Sequence, residues 1–282
     1  MATINLTTKF LPYTDEQFST ESKLSMLTNK DFDWTGAHSI KVYKIGTSAM
    51  NDYDRSGANV ETNWSRFGPV ASLDATTEEL TLKKDRSFTF VIDKLDTDET
   101  AQQLQAATAL ARQNRQVTIP EIDAYVYNVM ATAAGTKPGA VALTTDNTYT
   151  EILKASEALD DAEAPEDGRV LVVTPATYAL MKKSPDIVLE TDIGQQMRIK
   201  GVLAMLDGAA VVKVPKNRLP ENFGFMLAHP VACVAPVKLE DYRIHQDPPG
   251  ISGALVEGRV CYDAFTLENK VKAIYYQATT PA

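Results

Sequence analysis

The sequence predicts an α+β chain with long extended segments. Three observations carry the prediction. About 35 N-terminal residues sustain neither the helical nor the strand period. A turn-rich stretch separates two alternating runs near residues 40 and 90. Amphipathic helices and short apolar strands then follow, and the chain ends in β structure.

Residues 1 to about 35 scatter Leu6, Phe10, Leu11, Phe18, Leu24, Met26 and Leu27 among Thr, Ser, Asp and Lys. These apolar residues are too sparse for a core of their own, so the segment is expected to be an arm that orders by lying on another surface. The runs SIKVYKI (39–45) and SFTFVIDKL (87–95) alternate as strands, with Ile40 and Val42 opposite Lys41 and Tyr43. Between them lies NDYDRSGANVETNW (51–64), whose Asn51, Asp52, Asp54, Ser56, Gly57 and Asn59 favour turns. The economical arrangement is a long hairpin with an exposed tip. A compact domain rarely carries so long a loop, so the tip is expected to pack on a neighbouring chain.

In TDETAQQLQAATALARQ (97–113), Leu104, Ala107, Leu110 and Ala111 recur at helical spacing, with Asp98 and Glu99 in the first turn and Arg112 in the last. A second helix is predicted from Pro120, burying Ile122, Val126, Val129, Met130 and Ala133 before Gly135. The two together make one long, interrupted helical element. Segment 148–162 opens on a capping box, Thr148 with Glu151, and places Ile152, Leu153 and Leu159 on one face. In RVLVVTPATYALMKK (169–183), Val170 to Val173 suits a buried strand, with Thr174 as cap and Pro175 as first residue of a helix.

Beyond Gly201 the pattern turns to β. AAVVKVP (209–215), FGFMLAH (223–229) and KLEDYRIHQ (238–246) are expected to share one sheet. The stretch 254–277 holds two alternating segments around Glu268-Asn269-Lys270, a closing hairpin. No internal repeat or flexible linker interrupts this order.

Composition narrows the class. A chain of 282 residues suits one extended subunit or two interleaved domains, and 44% apolar with 23% charged residues argues against global disorder. The formal charge of −9 disfavours strong attraction to nucleic acid phosphates, and a weakly acidic wall suits a polyanion that must move past without sticking. Cys233 and Cys261 stand outside any paired motif, which points to buried thiols in a reducing compartment. Neither a basic-then-apolar leader nor a bilayer-length apolar run is present, so no membrane partner is expected.

Catalytic signatures are missing. His38, His229 and His245 have no metal-ligand spacing. The acidic run Asp160, Asp161, Glu163, Glu166 and Asp167 lacks calcium-loop spacing and reads as a solvated helix end. GTKPGA at Gly135 lacks the Lys-Ser/Thr ending of a phosphate loop, and Ser252 lacks a nucleophile elbow. Tyr242 with Arg243, and Lys272 with Tyr275 and Tyr276, offer stacking and charge for single-stranded nucleic acid, but their alternation fits ordinary sheet faces better. No catalytic, metal-binding or cofactor-binding residue is assigned, and no cofactor is expected.

The order of arm, β excursion, long helix, mixed α/β region and returning β structure resembles the HK97-type major capsid protein of tailed bacteriophages. The blocks RVLVVTPATYALMKKSP (169–185), IKGVLAMLDGAAVVKVP (199–215) and 225–276 carry the resemblance most specifically. It implies an N-terminal arm at 1–35, an extended loop at 36–95, a peripheral domain from 96–135 and 250–282 with a spine helix, and an axial domain at 136–249. It also implies a shell protein rather than an enzyme. Copies would close through pentamers and hexamers into an icosahedral head around double-stranded DNA contacted non-specifically. The protein would be made in the host bacterial cytoplasm and end in the virion.

Many such proteins carry a removable N-terminal scaffolding segment, whereas this sequence begins at Met1 with arm-like residues, so a separate scaffolding protein is expected. A portal and a decoration protein are the other implied partners. The lysine–asparagine crosslink of some relatives has no matching positions here. Gly46, Gly57, Gly68 and Gly135 are candidate hinges. The competing readings are an encapsulin-type compartment of the same fold, a phage decoration or tail protein, and a soluble hydrolase built on Asp160 and Asp161.

Overall fold

The structure is a computed structural model that describes residues 21–31, 39–57, 65–70, 72–73, 75–95, 105–187 and 202–280. The expectations placed on residues 1–20, His38 and 96–104 lie outside the described residues. The chain divides into two compact units, Trp34–Leu82 and the remainder.

The smaller unit is built on strands β1 (Ser39–Ile45) and β2 (Ala75–Thr81). They pair antiparallel, from Ser39 opposite Thr81 to Ile45 opposite Ala75. A bridge from Lys44 Nζ to Glu78 Oε2 at 3.2 Å supports the pairing. The expected long hairpin is therefore present, but its returning strand is the polar run ATTEELT rather than 87–95. Only Leu80 in that run alternates visibly as an apolar residue, so the hydrophobic period gave no signal.

In the larger unit, β3 (Lys84–Asp93) precedes α1 (Ala106–Gln113), a π-helical turn (Asn114–Thr118) and α2 (Ile119–Ala133), a continuous 28-residue helix. Pro120 has no N–H to donate back along the helix. The ladder accommodates it by shifting one step, with the Ile119 N–H donating to Asn114 O. The predicted interruption is thus a π turn and not a break.

α3 (Thr148–Asp161), β4 (Val170–Val173) and α4 (Pro175–Lys183) come next. The Thr174 hydroxyl accepts from Thr177 N at 3.1 Å, as its capping role predicts. Thr148 differs: its hydroxyl donates to Thr144 O, while Glu151 pairs with Lys154 at 2.8 Å, so no capping box forms. The inward face of α3 is Ile152, Ala155 and Leu159, and Leu153 is 40% exposed, because spacings of three and four residues share a helix face and adjacent ones do not.

The remaining strands are β5 (Val202–Leu206), β6 (Ala209–Lys213), β7 (Phe223–Ala228), β8 (Cys233–Val234), β9 (Val237–Gln246), β10 (Gly253–Tyr262), β11 (Phe265–Thr266) and β12 (Ile274–Ala278). They form a five-stranded sheet in the order β12-β7-β4-β6-β5, a three-stranded sheet β3-β10-β9, and the short pair β11-β8. Two expectations are corrected here. β9 does not share a sheet with β6 and β7. β10 and β12 do not close a hairpin, because the chain passes from one to the other through β11 and a 3-10 segment, Glu268–Ala273.

The five-stranded sheet is buried on both faces, and β4 shows how. Val170 and Val172 face Val126, Tyr127 and Met130 of α2. Leu171 and Val173 face Ile152, Ala155 and Leu159 of α3 and Met181 of α4. A strand covered on both sides needs a continuous apolar run, which VLVV supplies.

Candidate assembly surfaces

Ser22 lies ahead of a single 3-10 turn, Leu24–Met26. Its hydroxyl donates to Asp123 Oδ1 at 2.6 Å, and Arg218 Nη1 donates to Asp123 Oδ2 at 2.7 Å. Leu24 and Leu27 are buried in the core cluster that holds Val126 and Met130 of α2. Asn29 N donates to Cys233 O at 2.7 Å, and Asn29 bridges Val234 in parallel. The inner end of the expected arm therefore docks on its own chain, which corrects the expectation that its apolar residues find a core only elsewhere. Leu24 and Leu27, three apart on a short turn, gave that signal, but a pair so brief is indistinguishable from scatter in the sequence.

Burial raises the Asp123 pKa above its ordinary value, while the Ser22 hydroxyl and the Arg218 guanidinium pull it back. The nearby Tyr127 hydroxyl is buried without a hydrogen-bond partner among the described residues, and desolvation pushes its pKa upward.

The second surface is the end of the smaller unit. Between β1 and β2, Met50 is 98% and Phe67 76% exposed, and Tyr53, Val70 and Leu73 are also exposed. Local bonds hold the described residues around Asp54. Asp54 Oδ1 accepts from the Ser56 hydroxyl at 2.7 Å and from Gly57 N at 2.9 Å, and Asp54 N donates to Arg66 O at 2.9 Å. The rings of Tyr53 and Phe67 meet edge to face at 5.1 Å. Gly68, at φ +93°, comes so close that a Cβ there would lie 2.8 Å from Asn51 Cβ. Hydrogen-bonded backbone that presents large apolar side chains to water is the signature of a contact surface.

The chemistry-bearing residues are taken up by structure. Arg169, itself buried, donates to Ala164 O and Pro165 O at 2.7 and 2.9 Å and pairs with Asp160 at 2.7 Å, so it clamps the acidic turn. His229 Nε2 lies 2.9 Å from Asp167 O, and His229 Nδ1 accepts from Val231 N. His245 faces Glu257 at 3.4 Å on an exposed sheet face. Among the described residues no group of His, Cys, Asp or Glu is arranged to hold a metal ion.

Tyr275 stacks on Phe225 and Tyr276 tilts over Phe223 inside the fold, while Tyr242 packs near Phe88. These tyrosines serve sheet packing. Cys233 is buried and its thiol is pushed up to about 12, so it stays protonated; Cys261 is also a free thiol and only half-buried. Ser252 lines an open groove of about 870 Å³ walled by Ile92, Leu95, Ala107, Ile244 and Ala254. Its backbone carbonyl is taken by Lys94 N, and among the described residues no histidine lines the groove.

A family model for phage capsid protein matches residues 75–269. The chain belongs to the phage capsid protein family. The match runs from β2 to the 3-10 segment before β12 and thus covers every element of the two larger sheets except β12.

Solved structures share the fold over almost the full length. One from Mycobacterium phage Che8 aligns with a TM-score of 0.74 at 17% identity, covering 96% of each chain. The capsid of cyanophage P-SCSP1u gives 0.71 at 14% identity, over 98% of this chain and 93% of the other. The mature capsid of bacteriophage PhiM1 gives 0.70 at 12% identity, over 99% and 93%. Among curated proteins no sequence match is found.

The fold is HK97-like, as the resemblance implied, and this phage capsid protein is a structural component of the virion. The family is structural rather than enzymatic, which overturns the hydrolase alternative on Asp160 and Asp161. The family model that matches is one for phage capsid protein, the first of the two same-fold readings.

Proposed function

We propose that copies of this capsid protein close into both pentamers and hexamers, and that the resulting head encloses double-stranded DNA contacted non-specifically. In this reading residues 1–35 are the arm, 36–95 the extended loop, 96–135 and 250–282 the peripheral domain, and 136–249 the axial domain. A separate scaffolding protein, a portal and a decoration protein complete the particle.

The observation that carries the proposal is the ordered, apolar tip of the smaller unit. Met50, Phe67 and Val70 are exposed although Asp54, Gly57 and Arg66 fix the backbone around them. Such residues gain free energy by leaving water, at roughly 25 cal/mol per Å² of apolar area, and a neighbouring copy is the surface that a shell offers. The net charge of −9 supports a wall past which a polyanion moves without sticking.

Expression of the chain, followed by electron microscopy and native mass spectrometry, tests the proposal. Five- and six-membered rings or closed shells are expected. Replacing Met50, Phe67 and Val70 with Ser should change the monomer's unfolding free energy in urea by no more than about 0.5 kcal/mol per site while abolishing shells. Shells of normal yield from the triple variant would refute the role given to the tip.

A further inference from the structure

The five-stranded sheet carries opposite charge at the two ends of its parallel pair. β4 and β6 run side by side from Val170 opposite Ala210 to Val173 opposite Lys213. At the far end, Lys213 and Lys182 share one aromatic ring. Their ammonium groups lie 5.6 and 5.2 Å from the centroid of Tyr178, on α4. Neither ammonium is in an ion pair with a carboxylate among the described residues.

At the near end, the turn between α3 and β4 exposes Asp161, Glu163, Glu166 and Asp167, which also form no ion pair among the described residues. This turn is rigid. Arg169 holds Ala164 O, Pro165 O and Asp160 from beneath, and His229 holds Asp167 O. The local cation is thereby spent on backbone and on Asp160, which leaves the four outer carboxylates unneutralised. The strand between the two ends rises roughly 10 Å, and among the described residues no ion pair joins them within one chain.

We propose that the Lys182–Lys213 platform receives the acidic turn of a second copy, giving a head-to-tail contact within each ring. A contact between two different surfaces of identical chains is heterologous and closes into a ring when its rotation allows. A preorganised turn loses little freedom on docking, and an ammonium pair desolvated against carboxylates sets partner orientation. This inference rests on the ring-forming reading above.

Charge exchange tests it. Lys182→Glu with Lys213→Glu converts the platform, and Asp161→Lys, Glu163→Lys, Glu166→Lys and Asp167→Lys convert the turn. Each variant alone is expected to lose rings, with the ring fraction in native mass spectrometry falling by about tenfold or more. One chain carrying both conversions should regain pentamers and hexamers. An equal mixture of the two variants should regain hexamers but not pentamers, because alternating copies match at every contact only in an even-numbered ring.

Circular dichroism checks folding, and the neutral pair Lys182→Gln with Lys213→Gln, expected to weaken rings more mildly, substitutes if a charge-reversed chain unfolds. Variants that form rings like wild type overturn the inference, as does a combined chain that folds but stays monomeric. So does a platform variant that assembles normally and loses only bound nucleic acid. A wild-type chain that forms no rings would instead bring down the ring-forming reading itself.

Discussion

The Asp123 carboxylate and the Arg218 guanidinium form an ion pair at 2.7 Å in which the two side chains are 2% and 4% exposed. The pair joins α2 to the 3-10 turn Lys216–Arg218, and Ser22 adds the N-terminal segment to it. Removing one partner leaves the other charged in a place from which water is excluded, and Coulomb attraction no longer offsets its desolvation. Arg218→Met and Asp123→Leu should each destabilise the subunit by about 3–5 kcal/mol in urea titration. The double variant should cost clearly less than the sum. Additive losses would show that the two groups do not act as a pair.

Leu27 is fully buried although it belongs to a segment with almost no regular structure. Its side chain shares a cluster with Val126, Met130 and Cys233, so its loss leaves a cavity rather than a solvated gap. Leu27→Ala should lower stability by about 2–5 kcal/mol, measured on the monomer. Deleting residues 1–30 should therefore unsettle the core as well as assembly, whereas deleting 1–20 leaves Leu24 and Leu27 in place. Equal urea midpoints for the two truncations would contradict this.

How much of this was legible depends on the range over which each residue's partner lies. VLVV at 170–173 announced a strand covered on both faces, and Thr174-Pro175 announced the helix after it, because both signals are local. The polar strand β2 was hidden, since ATTEELT shows its strand character only when paired with β1. Which sheet each later strand joins was hidden too. KLEDYRIHQ and FGFMLAH both alternate or run apolar, and nothing in either says that one meets β10 and the other β4. The Asp123–Arg218 pair spans 95 positions and left no mark in the sequence.

Arg259 grips Asp85 with two hydrogen bonds, at 2.9 and 2.5 Å, across the β3–β10 pair. The grip holds the Asp85 pKa below its ordinary value. A carboxyl whose folded pKa is depressed contributes stability above the unfolded value of about 3.9, and loses it as pH falls through the folded value. Asp85→Asn should therefore flatten the decline of the urea midpoint below about pH 4. Asp123, with its pKa raised by burial, works in the opposite sense: its contribution is present at low pH and fades as pH rises through the folded value. A Asp85→Asn variant with an unaltered acid limb would show that the exposed pair contributes nothing measurable.

Phe88, Gly258 and Tyr242 stand in one row across β3, β10 and β9. A Cβ on Gly258 would come within 2.4 Å of the Phe88 ring, so the ring occupies the space that a side chain would take. The missing side chain lets Phe88 and Tyr242 approach to 6.2 Å between centroids across the central strand. An aromatic ring laid over a strand glycine shields the backbone there and restores the packing that glycine lacks. Gly258→Ala should therefore overpack the row and destabilise by about 1–3 kcal/mol. Phe88→Leu in the same chain should recover part of that loss, because a smaller side chain makes room for the methyl group. If alanine is instead neutral or stabilising, as it is in an unobstructed strand where only backbone freedom counts, then the ring moves aside at little cost and the row does not constrain the sheet.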